Sequence, residues 1–122
     1  MLPSHSIPYI MSDDNFNAKD LTRPTSKAPD PNAKFWDVAD TFVHLANENC
    51  KGAERGQVCA AMLYAAARFN AFTVSVDAPN AETFKNEIEP AVAYFRDEFE
   101  KMLRENFRDY AENFSSYHPE KG

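Results

Sequence analysis

An all-α fold is what this sequence predicts, and three observations carry the prediction. Apolar residues recur every three or four positions through most of the chain after residue 34. The 122 residues include only three glycines, and alternation of the strand kind is weak. Five of the eight prolines lie before Asn32, so the remainder is nearly clear of helix breakers. At 43% hydrophobic content, a chain of this length can form one small domain with a core. The expected organisation is an N-terminal tail at 1–33, a helical domain at 34–117 and a short C-terminal tail at 118–122. Within the domain, helices 1 and 2 form an antiparallel hairpin, closed by a long, proline-kinked helix 3.

The tail mixes Pro, Ser, Asp, Asn, Thr and Lys with scattered Leu2, Ile7, Tyr9, Ile10 and Leu21, without a sustained period. Met11-Ser12-Asp13-Asp14 reads as a second candidate translation start beside Met1. MLPSHSIPYI lacks a basic region followed by an apolar core, so it does not read as a signal peptide.

Helix 1 is expected to begin near residues 32–34. Phe35, Ala39, Phe42, Val43, Ala46 and Cys50 mark its apolar side, leaving Asp37, Asp40, His44 and Glu48 polar. Gly52 is expected to end it in the left-handed conformation that glycine tolerates. Residues 52–56 make a short connection, which implies an antiparallel neighbour.

Helix 2, QVCAAMLYAAARFNAFTVSV, is the organising element, with Arg68 as its one charge in twenty residues. Wound at about 100° per residue, Val58, Met62, Ala65, Phe69, Phe72, Thr73 and Val76 share a face. Cys59, Leu63, Ala66 and Val74 widen that face on one flank, as expected of a helix packed on two sides. The alanines favour helix and allow another backbone to approach closely. Asp77-Ala78-Pro79-Asn80 then stops helix 2, with Asn80 as the N-cap of helix 3.

Helix 3 carries a stripe from Phe84 through Ile88, Val92, Phe99 and Phe107 to Phe114 and Tyr117. Pro90 predicts a kink, or a break into 81–89 and 90–116. Opposite charges four apart are expected to pair: Asp97–Lys101, Glu100–Arg104, Lys101–Glu105 and Arg108–Glu112. Because the stripe continues past the reach of helices 1 and 2, its end is expected to be covered by a second copy of the chain. Phe107, Tyr110 and Phe114 would form that homodimer contact.

Three stretches carry a family resemblance: Phe35-Trp36-x-x-Ala39-Asp40-x-Phe42, Leu45-Ala46-Asn47-Glu48, and the run from Met62-Leu63-Tyr64 through Arg68-Phe69-Asn70-Ala71-Phe72. Lys101-Met102-Leu103-x-Glu105-Asn106 and Tyr110-x-Glu112-Asn113-Phe114 fit the same pattern. Together they resemble a family of small bacterial proteins known only as a domain of unknown function, over residues 35–117. In such proteins the Phe-Trp pair usually follows soon after an MSDDNF-like start, whereas here residues 17–34 intervene. The resemblance implies a bacterial, helical, cytosolic protein. It brings no activity, cofactor or catalytic residue.

The formal charge of −6 falls mostly in the last third of the chain. Without a concentrated basic face, neither nucleic acid nor an anionic membrane surface is an expected partner. The apolar runs are interrupted by polar residues, so no transmembrane helix is expected, and the cytoplasm is the expected location. Asp40, His44 and Glu48 share one face of helix 1 at a spacing suited to metal ligation. The plainer reading is a solvated polar face. Cys50 and Cys59 read as separate buried thiols, with a redox pair as the alternative. Asn70 lies on the apolar flank of helix 2 and is expected to be hydrogen-bonded, since an unpaired buried amide costs about 1–3 kcal/mol. Tyr64 and Arg68, four apart, form a candidate recognition pair, or Arg68 pairs with an acid of helix 3. Trp36 reads as a lid on the core. No phosphate loop, nucleophile arrangement or cofactor fingerprint is present in the sequence, which leaves no positive reason to assign an enzyme or a cofactor. The expectation is a non-enzymatic protein-interaction or oligomeric module. Its rivals are a metal- or small-ligand-binding protein using helix 1, and a small enzyme whose site forms between subunits.

Overall fold

The computed structural model describes residues 31–121. The tail expected at 1–33 therefore lies almost wholly outside the described residues. What is described is helical, without a strand: α1 (Ala33–Asn49), α2 (Arg55–Asp77), α3 (Ala81–Glu112), α4 (Phe114–Tyr117) and a closing 3-10 turn (Pro119–Lys121).

Local chemistry accounts for the start of α3 and the end of α1. Asn80 has extended backbone angles, and its side chain accepts a hydrogen bond from the Thr83 N–H at 2.8 Å, capping α3 as expected. The end of α1 differs from expectation. Gly52 is not in the left-handed conformation. Instead Cys50 keeps right-handed helical angles. The chain tightens by bonds from Lys51 N–H to Glu48 O (3.1 Å) and Gly52 N–H to Asn49 O (3.2 Å). No positive φ is needed because the last carbonyls are already taken.

Pro90 lies inside α3, which runs unbroken from Ala81 to Glu112. The expected break into two segments does not occur: proline withholds only its own N–H, and the flanking turns carry the helix past it. The true interruption is at Asn113, whose φ of −117° and ψ of 29° leave the helix. Here the Asn113 amide donates to Asp109 Oδ1 at 2.8 Å, and the Tyr117 hydroxyl donates to Asp109 Oδ2 at 2.6 Å. Tyr117 thereby folds back on Tyr110, with ring centroids 4.4 Å apart. The aromatic stripe expected to run on to Tyr117 along one helix is thus turned back on itself.

Of the four charge pairs expected on α3, Arg104–Glu100 forms at 2.8 Å. Lys101 and Arg108 instead turn to the acid three residues earlier, Glu98 at 2.9 Å and Glu105 at 2.8 Å. These pairs lie at the surface, with the Glu98 carboxylate partly covered, and contribute little.

Packing between the helices is slight. Among the described residues, Val74 (2% exposed) and Ala91 (7%) are the buried apolar side chains, with Phe84, Tyr94 and Phe95 packed around them. This small cluster joins the end of α2 to the first half of α3. No residue of α1 is buried. The expected closed arrangement, with helix 3 sealing a hairpin of helices 1 and 2, is not borne out by the burial: Phe42 on α1 is 59% exposed and Phe69 on α2 is 63% exposed.

Candidate interaction surface

The open faces are the most distinctive chemistry that the chain presents. Among the described residues, eighteen large apolar side chains are at least 39% exposed, spread over all three long helices and α4. On α2 these include Met62, Leu63, Phe69, Phe72 and Val76; on α1, Phe42 and Leu45. On α3 they include Val92, Phe99, Leu103 and Phe107. Large side chains of this kind carry roughly 150–200 Å² each, so about half-exposure leaves on the order of 1,500 Å² of apolar surface per chain. Soluble monomers rarely leave contiguous patches of more than a few hundred Å² open.

The residues singled out in the sequence fall into distinct settings. Phe107, Tyr110 and Phe114 are exposed, with the Tyr110 ring tilted against Tyr117 and Phe114 beside the His118 ring at 5.0 Å. Tyr64 and Arg68 are both exposed. Arg68 makes no ion pair among the described residues, so the expected link to an acid of helix 3 is absent. Asn70 is half-buried, and its backbone carbonyl accepts from the Thr73 hydroxyl at 2.7 Å. Its side-chain amide makes no hydrogen bond among the described residues, contrary to expectation. Partial exposure lets water serve it.

Asp40, His44 and Glu48 remain on one exposed side of α1. Glu48 is held by Lys51 at 3.0 Å. Among the described residues no three His, Cys, Asp or Glu side chains converge on a common point where a cation could sit. Cys50 and Cys59 are free thiols and both exposed, which corrects their reading as buried hydrophobes.

Sequence reasoning missed Glu87. It is 2% exposed, and its Oε1 has no hydrogen-bond partner. It shares a side of α3 with Ala91, one turn away, so burial of that side takes the carboxylate with it. Nothing in the apolar stripe marks it, because Ile88 fills that turn.

By length and composition α2 also passes for a membrane-crossing helix. Arg68 and Asn70 in its middle argue against that use, because ionisable and polar groups are costly at the centre of a bilayer.

Fold and surface together define an all-helical protein whose apolar faces are largely open among the described residues. The chain belongs to the family described as "Protein of unknown function (DUF3144)", which matches residues 35–111, from the first turn of α1 to the end of α3. Neither the curated proteins nor the solved structures gave a match.

Proposed function

We propose that this protein is a non-enzymatic interaction module that works as a homo-oligomer, at its simplest a homodimer, in the cytoplasm of a bacterium. The observation that carries this reading is the open apolar surface. The two apolar side chains buried among the described residues make too small a core for a stable domain. Paired copies that covered their exposed faces would bury roughly 3,000 Å² in total, within the about 2,000–5,000 Å² range of obligate assemblies. Such interfaces resemble a domain core divided between two chains.

The aromatic end of α3 contributes to this surface through Phe107, Tyr110 and Phe114. Sedimentation equilibrium at micromolar concentration tests the reading. The unmutated chain is expected to sediment as a dimer or larger assembly, and the Phe107→Glu/Phe114→Glu double variant to associate more weakly. A folded monomer across that range would overturn it.

A further inference from the structure

We propose that two copies of this chain pair through α2 in antiparallel orientation, with Ala65 of each copy seated against Phe69 of the other. This arrangement rests on the self-association proposed above and specifies its centre.

The spacing of one face of α2 is the first support. Val58, Met62, Ala65, Phe69, Phe72 and Val76 follow one another at intervals of four, three, four, three and four. That alternation is the seam of a coiled coil, where apolar residues repeat every 3.5 positions on average. Exposure is the second support. Met62, Phe69, Phe72 and Val76 are open, Ala65 is exposed and Val58 is half-buried. The covered side of α2 centres on Asn70 and Val74, roughly 120–160° from the middle of the seam at about 100° per residue, with Thr73 at its near edge about 60° away. The contact with α3 therefore leaves the seam free.

Orientation follows from size and charge. The intervals read the same from either end, about a midpoint at Ala67. An antiparallel mate then sets Val58 opposite Val76, Met62 opposite Phe72 and Ala65 opposite Phe69. Small faces large at the centre, as interdigitating packing requires. A parallel mate would set Phe69 on Phe69 and Ala65 on Ala65, alternating a bulge with a gap. The antiparallel pair also brings Arg55, at the start of one α2, toward Asp77 at the end of the other, and opposes the two helix dipoles. A parallel pair would gather like charges at each end. The two Arg68 side chains flank the axis on one edge, where their exposure lets the guanidinium groups stand apart in water. The seam residues open roughly 400 Å² per copy, about half of the 800 Å² per partner in a standard interface. The open stripes of α1 and α3 must supply the rest.

Spin labelling and crosslinking decide the arrangement without disturbing the seam. In a Cys50→Ser chain, a label on the native, exposed Cys59 reports the distance between the two copies. Antiparallel pairing about Ala67 separates the two Cys59 positions by sixteen residues of rise, roughly 24 Å. A cysteine at position 68 (Arg68→Cys in a Cys50→Ser/Cys59→Ser chain) lies beside the axis, too far from its own copy for a disulfide but within reach of a short bis-maleimide linker, by which it is expected to crosslink. Sedimentation of the same samples fixes their state. A dimer whose Cys59 labels lie within about 15 Å, or in which position 68 fails to crosslink, overturns the antiparallel pairing and leaves self-association standing. A folded monomer overturns both.

Discussion

Tyr94 shows how one side chain ties the small α2–α3 cluster to pH. It packs against Val74 and Ala91, and burial, reinforced by the Glu98 carboxylate, raises its phenol above the ordinary value of 10.0, against a smaller opposing pull from Lys101. The folded chain thus favours the neutral phenol. For a group raised on folding, the stabilisation is complete below pH 10.0 and is lost as pH climbs through the higher folded value. Tyr94→Phe is expected to flatten the fall in melting temperature between pH 9 and 11 relative to the unmutated chain. Parallel curves for the two chains would remove Tyr94 from the alkaline limb. At this scale the sequence was only partly legible. The apolar character of Phe69 was plain, but what covers Phe69 depends on the placement of other helices. At 63% exposure it is no core residue of the single chain. Cys50 and Cys59 were misplaced for the same reason.

The helices themselves were legible because their signals are local. The stop at Asp77, the restart at Ala81 and the Asn80 cap are all present as the residues foretell. Asn80→Ala is expected to lower stability by about 1 kcal/mol, the usual worth of an N-cap side chain. A denaturant midpoint unchanged by the substitution would mean that α3 does not depend on its capped end. Less legible were features in which neighbouring bonds compete. Gly52 looked like a cap, yet three-residue bonds from Lys51 and Gly52 close α1 without it. Pro90 looked like a break, yet α3 passes through it and yields at Asn113, where Asp109 gathers the Asn113 amide and the Tyr117 hydroxyl.

For the whole molecule, helical class follows from periodicity, whereas closure does not. Amphipathic stripes state that a helix has an apolar side, not whether the cover is another helix of the same chain or a second copy. The length of helix 3 suggested that some cover must come from outside, and the aromatic end of α3 was the expected place. The structure extends the open surface to α1 and α2, with Phe42, Phe69 and Phe72 all more than half exposed. If the copies complete one another's core, folding and self-association are one event. Thermal unfolding followed by far-UV circular dichroism over a hundredfold range of protein concentration tests it most directly, since mass action makes the midpoint of an obligate oligomer depend on concentration. A single cooperative transition whose midpoint rises with concentration is expected. A cooperative transition at one temperature throughout that range would contradict it.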